Sequence, residues 1–169
     1  MATTFGVGSG DVIRPWGKCE LRHYPEAASQ TFKRGVPLIL DSASTEIRAK
    51  TAADNPTAAI LGIAAEDASG TTGTKIGIYL AKPELKFIVR TVASDAVDFT
   101  DIGSGRALQA HASLTGVWVV DTTDAGNDSV VVEEYLNPIT MQQQTAEGDF
   151  EVFAVVHFDP KATIFGAGT

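Results

Sequence analysis

One cysteine, three histidines, two tryptophans and a deficit of basic charge are what the sequence has little of, and each scarcity excludes something. With Cys19 alone no internal disulfide can form, so the fold must stand on its own core. A chain of 169 residues suits one domain and can manage this. A domain of that size buries roughly two-thirds of the surface its unfolded form exposes. No stretch approaches the roughly 18 apolar residues of a membrane-spanning helix. Met1-Ala2-Thr3-Thr4 lacks the basic segment and apolar run of a secretory signal, so the cytoplasm is the expected place of synthesis. Thirteen Lys and Arg against 21 Asp and Glu give a formal net charge of −8. The densest basic patch, Lys33-Arg34, is only a pair. Nucleic-acid binders carry a basic stripe that displaces counterions from phosphate, so neither nucleic acid nor a membrane is expected as a partner.

Residue patterns for catalysis are equally sparse. His23, His111 and His157 each stand apart from other metal-ligating side chains at the spacings that build a zinc site on one element. Asp95, Asp98 and Asp101, and then Asp121, Asp124 and Asp128, lack the ligand spacing and closing Glu of a calcium loop, and they read as turn residues. Gly6-Val7-Gly8-Ser9-Gly10 follows no strand and ends in no Lys, unlike a phosphate-binding loop. No Gly-x-Ser-x-Gly occurs, and Gly103-Ser104-Gly105-Arg106 does not supply one. Glu133 and Glu134, as strand neighbours, are expected on opposite faces, where they cannot work as an acid/base pair. No catalytic residue, metal site or cofactor is therefore expected, and the chain reads as a non-enzyme.

What is present is β patterning. Val, Ile, Thr and Ala with 16 Gly favour strands joined by tight turns. In Lys18–His23 the residues Cys19, Leu21 and His23 alternate with charges, as on a half-buried strand, and Cys19 reads as a small core residue. Val36–Leu40 carries Pro37, which marks an edge strand or the start of a ladder. Glu46–Lys50 alternates more weakly. Ile76, Ile78 and Leu80 share a face, as do Leu85, Phe87 and Val89 beyond Lys82-Pro83. Arg106–Ala112 reads as a short helix or a strand, its alanines favouring helix at a marginal length. Val117–Val120 and Ser129–Tyr135 are strands around an Asp- and Gly-rich turn. Val152–Phe158 is apolar on both faces, which suits a central strand. The expected fold is all-β: a small β-barrel or β-sandwich of about nine or ten short strands, with at most one short helix.

Residues 1–16 form a separate, Gly-punctuated arm ahead of a single β domain over 17–169. Phe5, Val7, Val12, Ile13 and Trp16 are costly to leave in water, so the arm is expected to dock on a neighbouring subunit or partner. Phe5, Val7, Val12, Ile13, Arg14 and Trp16 are the candidate partner-binding residues. An extended arm of this kind can add a strand to a partner's sheet edge. Trp16 suits a second role equally well, capping the domain's own core.

The stretch Tyr24–Leu40, with its Phe32-Lys33-Arg34-Gly35 turn leading into an apolar strand, resembles the opening of bacteriophage head decoration (capsid cement) proteins. Ile60–Gly70, with Gly62-Ile63-Ala64 and Asp67-Ala68, and then Lys75–Leu80 resemble the strand and turn that follow in that family. The resemblance covers residues 20 to 136 in patches. Its members are shorter as a rule, and the arm and the segment after Asn137 lie outside the pattern. It implies a virion structural protein, commonly a homotrimer, that binds the capsid exterior and stabilises contacts between subunits of the major capsid protein. Two alternatives stand beside it: another virion element such as a tail, fibre or carbohydrate-binding β module, and an enzyme on a small trimeric β fold.

Overall fold

A computed structural model describes residues 12–41, 45–51, 54, 58–149 and 152–165. Among the described residues there are eleven strands, two short 3-10 turns and no α-helix. The strands are β1 (Arg14–Pro15), β2 (Leu21–Pro25), β3 (Pro37–Leu40), β4 (Ile47–Ala49), β5 (Ile60–Ala64) and β6 (Lys75–Leu80). They continue as β7 (Lys86–Thr91), β8 (Gly105–Ala110), β9 (Trp118–Asp121), β10 (Asp128–Leu136) and β11 (Phe153–Phe158).

These strands make a β-sandwich. One sheet has the order β1-β7-β11-β10-β8-β9 and the other β2-β6-β5-β3-β4. Each sheet curls back on itself through a short parallel contact. In the larger sheet β9 returns to β7, with Arg90 opposite Val119 and Thr91 opposite Val120. In the smaller, Glu26 beyond β2 bridges to Ile47 of β4.

The inward faces of both sheets close over one core. Ile76, Ile78 and Leu80 enter it from β6, and Phe87 and Val89 from β7, as their alternation dictates. The rings of Phe87 and Phe158 meet edge to face at 5.2 Å, an arrangement worth about 0.5–1.5 kcal/mol beyond the area they bury. β11 is central, between β7 and β10, and its two apolar faces explain themselves separately. Ala154, Val156 and Phe158 face the main core. Phe153 and Val155 join Ile88 and Leu136 in a second small cluster on the outer face, covered by Trp16 and Met141.

Two open alternatives are decided and two expectations are corrected. Arg106–Ala110 lies in β8, not a helix: paired to β10 and β9, it satisfies its backbone with neighbours that a six-residue helix would lack. Cys19 is exposed and Leu21 is 49% exposed, because β2 is an edge strand whose first residues overhang the core. β3 is interior, between β5 and β4, and Pro37 merely begins its ladder. Finally, the register of β10 shifts between Val132 and Glu134. That bulge puts Glu133, bonded to His157, on the same outer face as Glu134, which lies opposite Val155.

Candidate interaction surface

The segment assigned to the arm divides in two. Phe5 and Val7 lie outside the described residues. Residues 12–16 belong to the sandwich and strap its two sheets together. Val12 is half-buried against Gly35, at the turn before β3. Ile13 is 2% exposed and sits in the main core, so its side chain is an interior one rather than a partner-facing one. Arg14 and Pro15 then pair with Ile88 and Phe87 at the edge of the larger sheet, and the Trp16 N–H donates to the Lys86 carbonyl at 2.8 Å. Pro15 has no N–H to give, which suits an edge strand. The Arg14 guanidinium stands 5.9 Å over the Phe153 ring, and Trp16 lies half-buried on the outer cluster. Trp16 thus caps apolar residues of its own domain. A cleft of ≈ 290 Å³ runs beside the strap, between Arg14, Arg34 and Tyr79.

Close to Trp16 and Met141, the Asn137 carboxamide oxygen accepts the N–H groups of Ile139 and Thr140 at 2.9 and 3.1 Å. The turn so fixed presents Ile139 at 85% exposure. On the other sheet the outer side of β2 is an open edge that carries the charged Arg22, a common guard against unwanted strand addition.

The histidines and aspartates have local work. His111 Nδ1 accepts the backbone N–H groups of Ser113 and Leu114, both at 3.1 Å, which closes the turn after β8. Asp95 accepts from the Thr122 N–H and hydroxyl, Asp98 caps the 3-10 turn through the Thr100 N–H, and Asp121 and Asp124 hold the β9–β10 connection. Asp101 is buried between the Arg106 guanidinium, at 2.5 Å, and the Tyr135 hydroxyl, at 3.1 Å. Burial and that carboxylate push the Tyr135 phenol well above its ordinary range. Among the described residues no three His, Cys, Asp or Glu side chains converge in a way that would hold a metal ion.

Folding does assemble groups that are remote in sequence. Glu133, on the bulge, bonds Lys86 of β7 and, at 2.8 Å, His157 Nδ1 of β11. Burial pulls the Glu133 carboxyl up, and the lysine and histidine more than offset it, leaving it below the ordinary value. Asp54 receives both terminal nitrogens of Arg48, at 2.8 and 2.6 Å, with the Thr51 N–H and hydroxyl at 2.8 Å each. The guanidinium is the main reason that the Asp54 carboxyl is held well below the carboxylate range.

A folded-state pKa below the unfolded one means the native protein binds fewer protons, so this stabilisation is present above about pH 4 and lost as pH falls. Asp54→Asn should therefore lower stability by about 2 kcal/mol at neutral pH and flatten the acid limb of the stability curve. Urea melts of both proteins from pH 7 down to pH 3 give the comparison; curves parallel throughout would refute it.

Comparison with family models, with curated proteins and with solved structures returned no match for this chain.

Proposed function

We propose that the protein is a structural component of a bacteriophage head, docking as a homotrimer on the outside of the assembled shell and reinforcing joints between major capsid subunits. The observation that carries the reading is spatial. The three patches that resemble head decoration proteins are separate in sequence, yet they supply β3, β5 and β6, which are successive strands of one sheet. The turns that lead into and out of them are tied to each other. Asp67 accepts from the Lys33 ammonium and the Arg34 N–H, both at 2.9 Å, so the Phe32-Lys33-Arg34-Gly35 turn and the Glu66–Gly70 turn act as one unit. A shared sheet with its shared turn is what a common fold would preserve, whereas chance likeness would scatter.

Supporting features are the net charge of −8, which suits an outer surface better than contact with packed DNA, and the strap itself. By fixing residues 12–16 across both sheets, the strap gives the preceding Phe5 and Val7 a rigid point of departure. A carbohydrate-binding module would want neighbouring exposed aromatics. Trp118 is instead buried in the main core and Trp16 packs on the outer cluster.

The test is co-sedimentation with expanded capsids that lack the protein. Residues 1–11 are the segment to delete, since a cut after residue 16 would remove Ile13 and β1 with it. The full chain should pellet saturably and raise the melting temperature of the shell. The shortened chain, once shown by circular dichroism to melt as the full chain does, should bind at least about tenfold more weakly, a loss of about 1.4 kcal/mol. A full chain that neither pellets nor shifts shell melting would end the proposal. Equal binding by both chains would remove the arm's role alone.

A further inference from the structure

Lys50 follows β4 and is 4% exposed, and among the described residues its ammonium makes one hydrogen bond, to the Asp54 carbonyl at 3.1 Å. Among the described residues the carboxylate that acts on it is that of Asp54, which is already filled by Arg48 and Thr51. Burial accordingly pushes the amine below the ordinary lysine value. Holding a cation this way opposes folding unless something compensates, and an ammonium has three donors to satisfy.

Lys50 also lines a cleft of ≈ 310 Å³ that runs from the smaller sheet to the larger. Phe32, Val36, Ala110 and Trp118 give it an apolar wall, and Thr31 and Thr115 add hydroxyl-bearing side chains. Among the described residues the lining includes two lysines, Lys33 and Lys50, and no acidic residue, although the protein as a whole is strongly acidic. Lys33 is already engaged by Asp67, so among the described lining residues Lys50 is the cation with no carboxylate bonded to it. The volume falls at the lower end of ligand cavities, about 300–1,000 Å³, and a mostly apolar wall with few polar groups is their usual character.

We propose that this cleft binds a carboxylate carried on a flat apolar or aromatic body, with the anion on the Lys50 ammonium and the body against Phe32 and Trp118. A phosphate dianion would call for several converging donors. One ammonium with flanking hydroxyls matches a monoanion instead. The carboxylate can be a free small molecule or a group presented by a docked partner. This inference does not depend on the shell-binding role.

Phenylacetate and its neutral counterpart phenylacetamide are the probes, titrated into the intact protein and followed by the NMR signals of the Trp118 indole and the Lys50 side chain. Phenylacetate should shift both saturably, and phenylacetamide should bind at least tenfold more weakly. Lys50→Met should lose the same tenfold for the acid while melting at or above the parent temperature, since it replaces a buried cation with an apolar chain of similar length. Equal affinity for acid and amide, or the absence of a saturable shift, would overturn the proposal. That comparison uses the unaltered protein, so it decides the matter even where Lys50→Met fails to fold. A further arm repeats capsid co-sedimentation in saturating phenylacetate. Weakened pelleting assigns the carboxylate to the partner, and unchanged pelleting assigns it to a free ligand.

Discussion

Replacing Gly35 with alanine should destabilise the protein by about 2–5 kcal/mol and free the strap. Two effects add. Gly35 has φ +85°, in the left-handed region where a Cβ costs roughly 1–2 kcal/mol. A Cβ there would also stand 2.5 Å from the Val12 Cβ and 3.1 Å from the Ile13 backbone nitrogen. Relieving that overlap means moving either the strap or the turn, a packing strain of about 1–3 kcal/mol. Gly73 separates the terms. It has φ +82° with nothing within 4 Å of a built Cβ, so Gly73→Ala should show the backbone cost alone. Urea midpoints measure the difference between the variants. Amide exchange at Trp16, whose N–H is bonded to Lys86, locates it. Faster Trp16 exchange in Gly35→Ala than in Gly73→Ala is the expected result; equal midpoints and equal exchange would mean that the strap does not rest on Gly35.

Glu26→Ala carries the other large effect, a loss of about 3 kcal/mol, or roughly 6–12 °C in melting temperature for a chain of this size. Glu26 is fully buried, and among the described residues no basic side chain is bonded to it. Its carboxylate accepts instead from the Ser69 N–H at 3.0 Å, the Thr71 N–H at 2.7 Å and the Ser69 hydroxyl. Hydrogen bonds to a charged acceptor are worth about 1.5–3 kcal/mol, and their removal here leaves backbone donors with nothing to meet. The backbone of Glu26 is committed too. Its N–H donates to Thr74, its carbonyl accepts from Gly73, and it bridges to Ile47. Ser69→Ala should lose only about 1 kcal/mol, because Glu26 keeps its two backbone partners. A calorimetric melt of Glu26→Ala within 2 °C of the parent would show that the loop over 66–73 is held by something else.

Much of the fold could be read from alternation. Ile76, Ile78 and Leu80, and then Phe87 and Val89, point where their spacing says, and the two apolar faces of β11 do mark a central strand. Reading stayed open, or failed, where a neighbour decides. The alanines of β8 favour helix in isolation, but pairing with β9 and β10 overrides a propensity worth only tenths of a kcal/mol per residue. The alternation of Cys19, Leu21 and His23 is real, yet an edge position leaves the start of β2 uncovered. The arm was legible as apolar, but whether Ile13 and Trp16 serve the domain or a partner is a tertiary question. The assembled clusters were less legible still. Lys86, Glu133 and His157 come from three strands and meet only because a bulge falls at Glu133. The weak alternation of Glu46–Lys50 does not reveal that β4 stops at Ala49 and that Lys50 is buried.

The strap also bears on the order of events during synthesis. Arg14 finds its pairing partner at Ile88, and β7 in turn is flanked by β11, which ends at Phe158. Pairings this distant in sequence fold slowly, because the closing of long loops precedes the contacts that reward it. On the ribosome, the segment that ends at Trp16 must wait for β7 to emerge, and the larger sheet cannot close until β11 is out. During that interval Ile13 and Trp16 are apolar side chains with nowhere to go. The stage most exposed to aggregation or chaperone capture is therefore the growing chain, not the finished domain.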